Sequence, residues 1–284
     1  MARLNTIKVA LVGNPNTGKT SLFNELTGLK QKVGNYPGVT VDKKSGIIKL
    51  QDHLFAEVID LPGTYSINPN SLDENIVLET LLDPKNPDFP DLIIVIAAIE
   101  NMKRNLLLFS QIRALELPAL LASNMSDMME KRGISIDVAK LKELLSSEVV
   151  LISAKKGLGI EDLKDQICQY KRINREPFAK LTDRIDPEFF KKLGESFPHA
   201  SLYNSWLRIT HSHLPLRNLS QKERDNLESF RKDPEKLKRF QHRETVLRYQ
   251  KINEVLKETV IQDNSKATDI RSRLDKVLTH RIFG

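Results

Sequence analysis

The eight residues Gly13 to Thr20 read GNPNTGKT and fit the pattern G-x-x-x-x-G-K-[ST] without a mismatch. The chemistry that such a stretch serves is the holding of a nucleotide phosphate. A triphosphate carries dense negative charge, and a turn of small residues aims several backbone N–H groups at it without side chains intervening. Gly13 and Gly18 permit that close approach, and Asn14, Pro15, Asn16 and Thr17 make the turn between them. Lys19 offers a point charge to the β- and γ-phosphates and Thr20 a hydroxyl to Mg2+, while the helix entered at Ser21 points its positive end at the same anion. The competing reading is a surface turn rich in Gly, Asn and Pro.

Further residues sharpen the site. Asp60-Leu61-Pro62-Gly63 ends a hydrophobic run, where an aspartate can hold Mg2+ through water and the Gly63 N–H can bond a γ-phosphate. Asn124-Met125-Ser126-Asp127 stands where guanine-binding proteins carry N-K-x-D. Asp127 can accept from guanine N1–H and the 2-amino group, donors that adenine lacks on that edge. Met125 replaces the lysine and keeps an apolar lid, which predicts weaker base binding and faster exchange. Ser153-Ala154-Lys155 resembles the S-A-K loop whose backbone N–H meets guanine O6. As a set the motifs predict a GTP/GDP site. Between the phosphate loop and Asp60, Val33 to Thr40 (VGNYPGVT) reads as a mobile switch, with Gly38 and Val39 beside the nucleotide and Thr40 the candidate second hydroxyl for Mg2+; the runner-up is Thr64 or none.

Thr64 occupies the place where many regulatory GTPases orient water with glutamine, and it is too short to copy that role. Hydrolysis is then slow, or uses backbone groups and another electrophile; a hydrolysis-dead switch is a further reading. Asn16 offers an electrophile, because in several GTPases an asparagine there helps bind a monovalent cation beside the phosphates. A loop-stabilising asparagine is the alternative.

These residues require a frame of alternating strands and helices. Strand-like runs cover Lys8–Val12, Gly46–Leu50, Phe55–Leu61, Leu92–Ala98, Ala119–Asn124 and Val149–Ser153, with helical stretches near Asn75–Leu82, Lys103–Leu115, Asp137–Leu145 and Gly159–Gln169. The expected fold is α/β, of the P-loop GTPase type, with a mostly parallel six-stranded sheet and one antiparallel edge strand from the hairpin at 46–61. After about Tyr170 strand signals cease. Asp186-Pro187, Asp233-Pro234 and the box Ser220–Glu223 mark helix starts, and one long amphipathic helix runs from Pro234 to Ile261, so a smaller all-helical domain follows. The division is 1–170, a linker at 171–182, and 183–284.

The chain has 284 residues, of which 40% are hydrophobic, enough for ordinary cores. Its longest apolar run, Leu92–Ile99, is far too short to span a membrane, and no signal peptide precedes the first strand. The one cysteine, Cys168, reads as a small core residue in a reducing compartment. Of the six histidines, His211 and His213 lie on different helix faces and make no metal site; His53, His199, His242 and His280 read as isolated and exposed. The net charge of +7 is uneven: residues 1–169 hold 19 Lys/Arg against 21 Asp/Glu, residues 170–284 hold 25 against 16. A basic C-terminal half points to nucleic acid, to an anionic membrane surface, or to a solvated helical face.

The stretches GNPNTGKTSLFN, VGNYPGVTVDKKSG, DLPGTYS, ENMKRNL and NMSD together resemble the cytosolic N-terminal domain of the ferrous-iron transport protein B family, FeoB. The closing DIRSRLDKVLTHRIFG is similar to the segment before that family's first membrane helix. Tyr36 departs from the family's usual tryptophan, whereas Met125 agrees with its departure from lysine. The resemblance implies a GTPase domain with a helical spacer that slows GDP release, K+-stimulated hydrolysis through Asn16, and catalytic roles for Lys19, Thr40 and Gly63. It also implies a place on the cytoplasmic face of the bacterial inner membrane, reached through a permease region outside these residues, with the fragment itself soluble. It leaves room for a homo-oligomer. No nucleic-acid partner is expected, since the helical half lacks an RNA-binding motif; an RNA- or ribosome-associated GTPase is the alternative.

Overall fold

A computed structural model describes residues 5–28, 31–36, 39–68, 72–211 and 219–263, with residues 72 and 73 described in backbone only. Gly38, His213, His280 and the tail 269–284, all invoked above, lie outside the described residues.

The chain runs β1 (Asn5–Gly13), α1 (Lys19–Thr27), β2 (Lys32–Asn35), β3 (Asp42–Gln51), β4 (Leu54–Asp60), α2 (Leu72–Leu82), β5 (Leu92–Ala98), α3 (Met102–Ala114), β6 (Ala119–Asn124), β7 (Ile134–Ile136), α4 (Val138–Leu145), β8 (Val149–Leu151) and α5 (Ile160–Cys168). Then follow α6 (Thr182–Ile185), α7 (Pro187–Ser196), α8 (Leu202–Thr210), α9 (Gln221–Phe230), α10 (Pro234–Thr259) and β9 (Val260–Gln262). The sheet order is β2-β3-β4-β1-β5-β6-β8, parallel from β4 to β8 and antiparallel at β2 and β3.

Strict alternation along β1 explains why helices cover both faces. Val9 and Leu11 enter a core with Leu22, Phe23, Leu163 and Ile167 from α1 and α5; Ala10 and Val12 enter another with Leu78, Leu106 and Phe109 from α2 and α3. β5 is buried along its whole length because both its faces are covered.

The sheet has seven strands rather than the expected six. The addition is β2, which converts part of the expected switch loop into an edge strand paired by backbone alone; all four of its residues are exposed, so no apolar alternation marks it. The C-terminal half is not wholly helical either. The helix expected to reach Ile261 ends at Thr259, and β9 pairs antiparallel with β7, tying the end of the helical half to the α/β half. The helix starts follow the caps: Asp186, Ser220 and Asp233 each accept from the backbone N–H three residues on.

The helices past residue 181 pack around buried Phe190 and Trp206, with Phe189 edge-on to Phe190, Trp206, Phe230 and Phe240 at ring-centroid distances of 5.2 to 6.1 Å. α10 lies against α3 and α4. Two buried arginines join the halves. Arg113 of α3 donates to the carbonyls of Asn174, Glu176 and Ser146, which fastens the linker. Burial pushes its pKa down to about 10, still far enough above neutrality to leave it charged. Arg248 of α10 pairs with Glu244 at 2.7 Å and donates to the carbonyl of Ser110 on α3 at 2.8 Å.

Candidate functional site

Local chain chemistry builds the phosphate loop. β1 ends at Gly13, where an added Cβ would stand 2.9 Å from both the Ile96 carbonyl oxygen and Thr17 Oγ1. Thr17 Oγ1 donates to the Asn14 carbonyl at 2.8 Å and closes the turn. Asn16 sits at φ 65, in the left-handed region that asparagine tolerates better than most residues. Its exposed side chain makes no hydrogen bond among the described residues. Gly18, at φ 85, caps α1; an added Cβ there would meet Asn124 Nδ2 at 2.2 Å. The backbone at residue 18 therefore has no freedom to carry a side chain.

Lys19 and Thr20 open α1, so both side chains turn toward the end of β4. Lys19 Nζ forms an ion pair with Asp60 Oδ1, and Thr20 Oγ1 donates to Asp60 Oδ2 at 3.2 Å. A cleft of about 490 Å³ lies over this cluster, lined by Lys19, Thr40, Val41, Asp60 and Gly63. The expected lysine, the Thr40 hydroxyl, the aspartate and the glycine thus line one cleft, with Thr20 joined to it through its bond to Asp60. Three oxygen donors, on Thr20, Thr40 and Asp60, suit a hard dication. Asn14 (3% exposed), Pro15, Thr17 and Ser21 complete the loop and the first turn of α1, whereas Val39 packs against the core outside the cleft lining.

Thr64 is not a candidate metal ligand. It is fully buried, its hydroxyl bonds the Ser66 carbonyl and faces Glu74 Oε1 at 3.1 Å, and its N–H donates to the Gly13 carbonyl at 3.2 Å. Its role here is to fasten the loop after Gly63 to the phosphate loop. The next residue, Tyr65, carries the Arg104 guanidinium 3.6 Å from its ring centroid. Tyr36 is buried in the core below the cleft; burial and the carboxylates of Asp88 and Asp60 push its hydroxyl pKa well up.

The base side is laced to the phosphate side by Asn124. This residue is 3% exposed; its Nδ2 donates to the Thr17 carbonyl at 2.8 Å and its Oδ1 accepts from Ala154 N at 3.0 Å. Of the loop expected to offer a backbone N–H to guanine O6, the Ala154 N–H is thereby committed to Asn124. The adjacent Lys155 N–H has no acceptor among the described residues and is the better candidate for O6. Met125 adopts φ 68 and, half-buried, packs against the core. Asp127 accepts from Ser153 Oγ at 2.7 Å, a bond that holds its carboxyl below the usual range. Lys156 approaches Asp127 at 3.6 Å, while Lys155 projects into solvent.

The helical half touches the segment after Gly63. Arg208 Nη2 donates to the Leu82 carbonyl at the end of α2 at 2.9 Å, and His211 Nε2 faces Asn68 Oδ1 at 3.1 Å. Cys168 is half-buried, and His53, His199 and His242 are exposed. Among the described residues, no three His, Cys, Asp or Glu side chains are grouped to hold a metal, and no helix is long and apolar enough to cross a membrane.

The sequence profile of the family described as "Ferrous iron transport protein B" matches residues 7–167. The Fe(2+) transporter FeoB of Leptospira biflexa is 32% identical over 286 residues, covering 97% of this chain and 41% of the relative. That of Escherichia coli K12 is 41% identical over 169 residues, covering 58% of this chain and 21% of the relative. The chain therefore spans about two fifths or less of the curated relatives it matches. Among solved structures, the cytosolic domain of the T. maritima FeoB iron transporter in a GDP form is 31% identical with a TM-score of 0.77, covering 92% of this chain and all of that one. The cytosolic domain of L. pneumophila FeoB is 33% identical with a TM-score of 0.74, covering 90% and 100%. With its phosphate loop, Asp60 cleft and Asp127 pocket on this sheet, the chain belongs to the ferrous iron transport protein B family, of which it carries the N-terminal GTPase domain.

Proposed function

We propose that this chain binds and hydrolyses GTP and that its nucleotide cycle regulates ferrous iron uptake through a membrane permease. The observation that carries the reading is the Asn124 strut, which ties the phosphate loop to the Ser153–Ala154 turn, whose Ser153 hydroxyl in turn bonds the Asp127 carboxylate. In this reading the phosphate-loop N–H groups and Lys19 hold the β- and γ-phosphates, and Asp127 with the Lys155 N–H reads the base. Gly63 N–H binds the γ-phosphate as water attacks it and the bond to the β-phosphate breaks, releasing GDP and phosphate. Thr20, Thr40 and Asp60 would hold magnesium, which would neutralise phosphate charge. Asn16 would help hold potassium, which would supply the positive charge that an arginine provides in other GTPases.

Residues 1–170 act as the G domain and 183–284 as a spacer that slows GDP release, reading the segment after Gly63 through Arg208 and His211. The basic spacer places the module on the cytoplasmic face of the bacterial plasma membrane. Steady-state hydrolysis of GTP and ATP, each in potassium and in sodium, tests the proposal. GTP preference and a higher rate in potassium are expected. Equal rates in both salts sink the Asn16 assignment, and ATP preference sinks Asp127.

A further inference from the structure

A second cavity of about 490 Å³, sharing no lining residue with the phosphate cleft, lies where the end of α3, the linker and helices α7, α8 and α10 meet. Its apolar wall includes Ala114, Ala179, Leu181, Phe190, Leu202 and Trp206. Three buried polar residues border it, Tyr203, Glu244 and Arg248, at 7%, 4% and 3% exposure. A cavity of this size, mostly apolar with a few converging polar groups, has the make-up of a small-molecule site.

The hydrogen bonds already made decide what such a molecule must bring. Glu244 Oε1 accepts from Arg248 Nε at 2.7 Å and Oε2 from Trp206 Nε1 at 2.9 Å, so both carboxylate oxygens are engaged and the charge is neutralised. Arg248 Nη1 bonds Ser110. Its Nη2 finds no acceptor among the described residues. The Tyr203 hydroxyl is buried with Glu244 and Arg248 beside it but makes no hydrogen bond of normal geometry; burial and then Glu244 push its pKa well up, so it stays a donor. The guanidinium carbon stands 4.7 Å from the Tyr203 ring centroid, and both side chains border the cavity. Unmet donors at the edge of an apolar cavity call for a ligand with an acceptor. On the exposed rim, Arg175 and Lys180 alternate with Glu176 and Asp183, so nothing there demands a strongly charged molecule.

We propose that this cavity binds a small planar apolar molecule with one hydrogen-bond acceptor, a carbonyl or a carboxylate, which takes Arg248 Nη2 and, after a small adjustment, the Tyr203 O–H. Because its walls come from α3, the linker and three helices, occupancy stiffens the joint between the sheet and the helical half.

Trp206 is the only tryptophan in the chain, so its Nε1–H gives a single indole resonance on the cavity wall. The experiment titrates the 15N-labelled 284-residue protein with 2-naphthoate, 2-naphthamide and 2-methylnaphthalene. The naphthoate and the naphthamide are expected to move the Trp206 resonance saturably and to raise the thermal midpoint, with 2-methylnaphthalene at least about tenfold weaker. Ala179→Phe, which fills the cavity, should weaken all three probes about tenfold or more. Arg248→Lys should weaken only the two acceptor-bearing probes. A Trp206 resonance that stays fixed with every probe up to its solubility limit overturns the proposal, as do equal affinities for the three. If Ala179→Phe fails to fold, the ranking of the probes on the unmodified chain decides alone.

Discussion

Replacing Asn124 by alanine removes two hydrogen bonds at once, those to the Thr17 carbonyl and from the Ala154 N–H. At 3% exposure the site gives neither stranded backbone group ready access to water. Each stranded group costs about 1–3 kcal/mol, so the folded state should lose roughly 2–6 kcal/mol. The effect on binding separates two roles. The Asn124 amide retains one N–H, which can serve purine N7, an acceptor that guanine and adenine share. Discrimination resides instead in Asp127. Asn124→Ala should therefore weaken GDP binding roughly 10- to 100-fold while leaving the GDP-to-ADP preference nearly unchanged. Calorimetric titration of both nucleotides into the native and variant chains, with a melting curve for each, measures this. Unchanged stability and GDP affinity would refute the strut. So would a collapsed base preference with phosphate affinity intact.

Three further outcomes are expected. Gly18→Ala places a Cβ 2.2 Å from Asn124 Nδ2 at a φ of 85 and should cost about 2 kcal/mol or more and abolish measurable GDP binding, read by melting and calorimetry. Arg113→Met strands the carbonyls of Asn174, Glu176 and Ser146, lowers stability by roughly 2–4 kcal/mol, and should make residues 171–182 the first segment cut in limited proteolysis. The depressed Asp127 pKa fixes a pH window: its ionised form contributes fully above the unfolded value of about 4 and is lost as pH falls through the lower folded value. The GDP-to-ADP affinity ratio should thus hold from neutrality to about pH 4 and fall below it, and Ser153→Ala should move that fall to higher pH.

Much of this was legible in the sequence, for a physical reason in each case. β5 and β6 are buried along their whole length, so their apolar runs stand out, and the phosphate loop is legible because no other residue types satisfy its turn, charge and close approach. β2 was not, since its four exposed residues pair through backbone groups that carry no side-chain signal. β9 was hidden because Val260 and Ile261 continue an amphipathic pattern, while the partner that makes them a strand lies far back in the chain at residues 134–136. Nothing in the local sequence marks Arg113, Glu244 and Arg248 as buried. Their burial depends on partners distant in sequence, at the linker, Ser110 and Trp206. In the site, the motifs named Asn124 and Ala154 but not their mutual bond, and nothing in Lys155-Lys156 tells which lysine turns to Asp127.

The most direct test of the central claim is the substrate preference of Asp127→Asn. An aspartate accepts from the guanine 2-amino group, whereas an asparagine amide donates to the 2-carbonyl of xanthine. The native chain should hydrolyse GTP and spare xanthosine triphosphate, and the variant should reverse that order by about tenfold or more. Hydrolysis of both substrates with the same ratio in native and variant chains would contradict the guanine site built on Asp127.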